Sequence, residues 1–266
     1  MFIDRRMEAN ETRFCSLWTQ HIRIHDCADL FVNEKLTGDY FFNRLNPFVC
    51  EDIRDIIENA ARICLRRGMD CYVHVHDKNT DVQNSLLEAG FQWIDTMHVL
   101  RADWDKVEHD DINESDKCGD SKIHVVRADL RSASDWVDAF CRSFDVLEWK
   151  SVVKEKIDLH FKKLILLLSY FRVNNTYPHA ELAGCAALFA NHGIMGLYCL
   201  GTISNFRGRG LAKKMIGVSL QIAQQKQLDF LFLQTFTNEG FFLLYKKLGF
   251  RSVYKKRVYA LKRDFN

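Results

Sequence analysis

LGTISNFRGRGLAKKM, residues 200–215, joins a strand-like run to a helical one, and the rest of the chain is read outward from it. Ahead of it, 194–203 has the apolar content of a buried strand. Behind it, Leu211, Ala212, Met215, Ile216, Ser219, Ile222 and Ala223 recur at the spacing of one helix face, which predicts a helix over 210–227. The backbone therefore turns near Arg207 to Gly210, where the first amides of the helix lack carbonyl partners. Gly208 and Gly210 let the backbone approach a ligand closely, and Arg207, Arg209, Lys213 and Lys214 surround the turn with positive charge. Amides, helix dipole and cations together make an anion site suited to a pyrophosphate. Alone, an Arg-Gly-x-Gly would read equally as a solvated surface turn.

On either side the elements alternate. A strand is expected at 123–127, helices at 134–144 and 149–163, and strands at 164–173, 181–190 and 194–203. DFLFLQTF at 229–236 is too short and too aromatic for a helix and reads as a buried strand. A short helix at 239–248 stops at Gly249, and 251–263 closes with strand-like alternation.

Upstream, the same succession occurs again at an offset of 159 residues. Gly90-Phe91 matches Gly249-Phe250, Asn79 matches Asn238, strand 70–75 matches 229–234, and helical 51–68 matches 210–227. The copies differ at the turn, where FVCEDI (48–53) stands in the register of RGRGLA (207–212). Without glycines, and with Glu51 and Asp52 in place, that turn repels a pyrophosphate. One anion site, in the second copy, is expected.

Between the copies, 109–121 is polar and acidic and reads as a tether, giving units at 1–108 and 122–266. Of 266 residues, 37 are basic and 35 acidic, a net charge of only +2. That balance hides an asymmetry: −6 over 1–108, −4 over the tether and +12 over 122–266. A basic unit favours polyanions, and the acidic unit reads as its docking face or as a wall attracting a cationic amine.

The second unit, from Lys122 to Asn266, resembles the GNAT superfamily of acyl-CoA-dependent N-acetyltransferases. Arg207, Gly210 and Ala212 match that family's pyrophosphate loop, and Asn238, Tyr245 and Leu248-Gly249-Phe250 match its downstream spacing. The resemblance implies an α/β (α+β) fold, a central and mostly antiparallel mixed sheet with helices on both faces, in a tandem arrangement whose first copy is truncated and degenerate. It implies acetyl-CoA as donor and a primary amine, on a small molecule or a protein, as acceptor. The cofactor would lie against Leu200, Thr202, Arg207, Gly208, Arg209, Gly210, Leu211, Ala212, Lys213 and Asn238. Tyr245 would be the acid that protonates the departing thiolate.

No carboxylate occurs in IMGLYCL, 194–200, where many members carry their base. Glu181, Glu148, Asp145 and Tyr198 stay open for that role, as does an ordered water chain. Phe241 stands where the family commonly has a small residue. The missing strand carboxylate leaves a non-catalytic acyl-CoA-binding protein as the alternative. Aminoacyl transfer from charged tRNA is disfavoured by the intact loop, and no nucleic-acid or membrane partner is expected.

Nine cysteines scattered singly, without a C-x-x-C pair, read as reduced buried thiols. With no apolar run after the first charges, the amino terminus points to a cytoplasmic protein. His74 and His76 share a strand face and His21 and His25 are expected to align on a helix, but no further ligands follow at metal spacing, so no metal is expected.

Overall fold

The computed structural model describes residues 2–47, 52–102, 122–172 and 180–262. The tether at 109–121 and Glu51 lie outside them. In the first half, helix α1 (Phe2–Trp18) leads into strands β1 (Gln20–Ile24), β2 (Ala28–Val32) and β3 (Arg44–Pro47). Helix α2 (Ile53–Arg66), β4 (Cys71–His76), α3 (Thr80–Glu88) and β5 (Gln92–Ala102) follow. The second half runs β6 (Ile123–Arg127), α4 (Ala133–Phe144), α5 (Lys150–His160), β7 (Ile165–Arg172), β8 (Ala180–Asn191) and β9 (Ile194–Thr202). It ends with α6 (Leu211–Gln225), β10 (Leu231–Phe236), α7 (Phe242–Lys247) and β11 (Arg251–Leu261). The second-half elements fall close to where the patterning predicts them, except that the helix expected over 239–248 spans only Phe242–Lys247, behind a 3-10 turn at Thr237–Glu239. The histidine expectation needs correction. Gln20–Ile24 is a strand, and the chain reverses at His25 and Asp26, both with positive φ, so His21 and His25 share no helix face.

Among the described residues the strands form one eleven-stranded sheet in the order β1-β2-β3-β4-β11-β5-β10-β9-β8-β7-β6. Neighbours are antiparallel except β3 with β4 and β9 with β10. Alternate residues feed different cores. Leu166, Leu168, Cys185, Ala187, Phe230 and Phe232 pack beneath α1, α4 and α5, while Leu167, Ala186, Leu188, Leu231 and Leu233 pack against α6. Both faces are therefore covered, which explains why these strands read as continuous apolar runs.

The order holds a feature that periodicity cannot reveal. β5, the last strand of the first half, lies between β11 and β10, and β11 lies between β4 and β5. Each half has given its last strand to the other. The exchange keeps the 159-residue repeat in register, because β5 and β11 are the two copies of one strand and pair with each other.

Helix α1 adds a second tie. It packs on β8 and β9 of the second half, where Phe14 stacks on Tyr198 with centroids 3.7 Å apart and the Tyr198 hydroxyl donates to Asn10 Oδ1 at 2.8 Å. Gly196 leaves room for this ring, since a Cβ there would come within 2.3 Å of it. At the same seam the buried Glu11 pairs with the buried Arg44 and, at 3.2 Å, with Lys256 of β11, which also reaches Glu8 at 2.5 Å. Lys262 pairs with Asp70 at 3.0 Å. Acids of the first half thus meet lysines of the second. Among the described residues, no helix is long and apolar enough to cross a membrane.

Candidate active site

β9 and β10 are registered only from Met195 to Leu197 against Leu231 to Leu233, and beyond that point they separate. A cavity of about 270 Å³ opens in the gap. One wall is β9 from Leu197 to Leu200, and the facing wall is Leu233, Gln234 and Phe236 of β10. Phe140, Phe144, Val146 and Trp149 close one side, Glu239, Phe241 and Tyr245 another, and Asp39, Phe41 and Phe42 reach in from the first half.

The β9 wall is irregular for a local reason. Ala187 faces Tyr198 and Cys185 faces Gly201, so Cys199 and Leu200 together stand opposite the single residue Ala186. This is a β-bulge, with Cys199 at φ +52°, and the Ala186 carbonyl accepts the indole N–H of Trp136 at 2.8 Å. Cys199 and Leu200 have no ladder partner, which turns that stretch of backbone toward the cavity.

Tyr245 sits on α7 with its ring edge-on to Phe250, centroids 6.0 Å apart, and is buried. Its hydroxyl makes no hydrogen bond to another described residue. Burial, reinforced by the negative charge of Glu239, pushes the phenol above its ordinary pKa, so it holds its proton. Two carboxylates share the cavity with it. Asp39 Oδ1 accepts the backbone N–H groups of Phe41 and Phe42 at 2.8 and 2.6 Å. Glu239 Oε2 accepts the Thr235 hydroxyl and the Phe236 N–H at 2.8 and 2.9 Å. One oxygen of each is held while the other makes no hydrogen bond to a described residue. Burial raises both, with Glu239 adding to the rise at Asp39 and Asp95 to that at Glu239.

The glycine turn lies where β9 ends and α6 begins. Gly208 and Gly210 have φ of +74° and +86°, and a Cβ at Gly208 would meet nothing within 4 Å. Gly210 occupies the cap position of α6 without a side chain to satisfy the Leu211 and Ala212 amides. The first copy differs here in a telling way. Its helix α2 is capped by Asp52, whose carboxylate accepts the Asp55 N–H at 3.2 Å and puts negative charge where an anion would sit. Arg207 braces the turn, donating to Thr202 O at 3.1 Å and Ser143 O at 3.0 Å. Arg209 lies over the Phe171 ring at 4.9 Å.

A family model described as acetyltransferase (GNAT) family matches residues 141–250, which contain the bulge, the glycine turn and Tyr245. Residues 141–250 belong to the GNAT family. Solved structures extend the likeness of fold over both halves. A GCN5-related N-acetyltransferase from Kribbella flavida aligns with a TM-score of 0.63 at 12% identity, covering 96% of each chain. A functionally unknown conserved protein from Staphylococcus epidermidis aligns at 0.63 and 11%, covering 92% of this chain and 95% of its own. A tandem GNAT protein from the clavulanic acid biosynthesis pathway aligns at 0.55 and 10%, covering 79% of this chain and 70% of its own. No curated protein matches the chain.

The chain has the fold of a tandem GNAT arrangement, and only its second half carries the glycine turn. Within the GNAT domain, Leu200 and Tyr245 line the cavity, and Thr202, Arg207, Gly208, Arg209, Gly210, Ala212 and Lys213 gather at the turn. Leu211 sends its side chain into the core beside Phe171 and Phe206, so only its backbone faces the turn. The Asn238 amide donates to Ile94 O of the exchanged strand at 3.4 Å. Glu181 is exposed opposite Phe171 on β8, and Glu148 is exposed beside cavity residues without lining the cavity itself. Tyr198 is committed to Asn10 and is held neutral by burial. The carboxylates that do line the cavity, Asp39 and Glu239, escaped the sequence reading. Glu239 follows Asn238 directly and was in principle findable, whereas nothing local marks Asp39.

Proposed function

We propose that this protein transfers an acetyl group from acetyl-CoA to a primary amine by direct attack within a ternary complex. The observation that carries the reading is the placement of Tyr245 and Glu239 in one cavity at the separation of β9 from β10, beside the bulge and the open glycine turn. These residues fit acetyl-CoA. Gly208, Gly210 and the start of α6 would hold its pyrophosphate, with the cations of the turn around it, and the unladdered backbone at Cys199 and Leu200 would hold its pantetheine arm. When bound, acetyl-CoA supplies the acyl thioester.

The side chains supply proton management. An amine attacks only when neutral, so the cavity needs a proton acceptor, and Glu239 has a free carboxylate oxygen and a pKa raised above its ordinary value by desolvation. Tyr245 keeps its proton at Oη and is available to a leaving thiolate. Glu181 and Glu148, both outside the cavity lining, have no part in this reading.

The test is release of free thiol from acetyl-CoA with a panel of primary amines. Amine-dependent release supports transfer. Tight acetyl-CoA binding with no turnover on any amine would instead leave an acyl-CoA-binding protein without catalysis.

A further inference from the structure

Asp39, Phe41 and Phe42 belong to the degenerate first half, yet they line the cavity of the second. Their loop is rigidly built. Asp39 Oδ1 takes two backbone N–H groups, Asn43 N–H donates to Asp39 O at 3.1 Å, and Arg44 donates to the Phe41 carbonyl. Phe42 is buried and stacks on Trp18 with centroids 4.9 Å apart. Such a wall is preorganised, so it selects a ligand rather than moulding itself to one.

The chemistry of the cavity narrows the ligand. Its surface is dominated by aromatic rings, Phe41, Phe140, Trp149, Phe236 and Phe241 among them, which cannot satisfy the hydroxyls of a sugar. Among the described lining residues only Asp39 and Glu239 carry charge, and both are negative. Half-buried Asp39 and exposed Glu239 line one cavity and repel each other, and a cation set between their free oxygens relieves that repulsion. At about 270 Å³ the cavity falls at the small end of the roughly 300–1,000 Å³ usual for ligand sites. With one ammonium set between both carboxylates, a further cationic end, as in a polyamine, would extend among rings, where no other described lining residue carries charge.

Resting on the acyl-transfer reading, we propose that the first half forms the acceptor wall and that Asp39 is its specificity-determining residue. The acceptor class is a compact monoamine on an aromatic or apolar body, with its ammonium on the Asp39 and Glu239 pair. This gives the degenerate copy a function of its own: it has lost an anion site and provides a cation site to its neighbour.

The full-length protein is assayed with phenethylamine, spermidine and glucosamine, and phenethylamine binding is measured separately by calorimetry. Phenethylamine is expected to show a kcat/KM at least about tenfold above the other two. Asp39→Asn keeps the Oδ1 acceptor for Phe41 and Phe42 but removes the charge. It is expected to raise the phenethylamine KM and Kd about tenfold while acetyl-CoA affinity stays unchanged. Preference for spermidine or glucosamine, or an unchanged phenethylamine Kd in a folded Asp39→Asn protein, overturns the proposal. If no amine is turned over but phenethylamine binds in an Asp39-dependent way, acyl transfer fails and the acceptor site stands.

Discussion

Met97 and Lys256 occupy the same position of the two repeats, 159 residues apart, and face each other as Cα partners across β5 and β11. On either side of them the pairing is mirrored, with Thr96 opposite Arg257 and His98 opposite Lys255. A local dyad therefore passes between the two exchanged strands. Symmetry ends at the side chains, because Met97 is apolar core while Lys256 is a buried cation held by Glu8 and Glu11.

The exchange predicts that the second half cannot fold alone. A fragment of 122–266 lacks β5, leaving β10 and β11 without the strand between them, and lacks α1, leaving Tyr198 uncovered. Unpaired edges and an exposed apolar face favour association over folding. Urea denaturation followed by tryptophan fluorescence should show no cooperative transition for this fragment. A transition like that of the whole chain would show that the exchanged strand is dispensable.

Lys256→Met should be costly and pH-dependent. Removing one partner of a buried charge cluster typically costs about 3–5 kcal/mol, because Glu11 keeps only Arg44 as a charged partner. Burial works against ionised Glu11, but the charges of Lys256 and Arg44 outweigh it and hold its pKa below the ordinary value. Its contribution is therefore fully present above the ordinary carboxylate range and lost as pH falls through the lowered value. In Lys256→Met the less-compensated Glu11 carboxylate is protonated more readily in mild acid, so the deficit against wild type should shrink between pH about 7 and about 4. Denaturation midpoints at the two pH values measure this, and a deficit that grew with acid would contradict the assignment.

Gly210→Ala should separate cofactor binding from folding. At φ +86° an L side chain is strained by about 1 kcal/mol, and the nearest neighbour of the new Cβ, Ile123 Cδ1, is a comfortable 3.8 Å away. Stability should fall little. Acetyl-CoA affinity should fall about tenfold, because the added strain opposes the backbone geometry that presents the helix amides. Calorimetry gives the affinity, and an unchanged value would remove the turn from the cofactor site.

Tyr245→Phe removes the proton but keeps the ring against Phe250. Loss of a general acid typically costs about 10²–10⁴-fold in turnover. Acetyl-CoA affinity should be nearly unchanged, and equal turnover in both proteins would exclude Tyr245 from the chemistry.

What the sequence determined by itself is what depends on near neighbours. Helix α6 was legible from its one-sided spacing, the turn from Gly208 and Gly210, and the repeat from Asn79 and Gly90-Phe91 recurring as Asn238 and Gly249-Phe250. Each of these rests on backbone conformation or a local apolar stripe. The tertiary structure decided which copy of a strand pairs with which. β5 and β11 come from one repeat pattern, so either would satisfy the hydrogen bonds beside β4 or β10, and only long-range packing selects the exchanged order. It also decided which first-half residues line the cavity. Asp39 lies in a first-half loop with no motif around it, and its meeting with Glu239 follows from how the two halves are joined. Periodicity describes one chain segment and its face, whereas a site of this kind is a meeting of distant segments, set by the free energy of the assembled sheet.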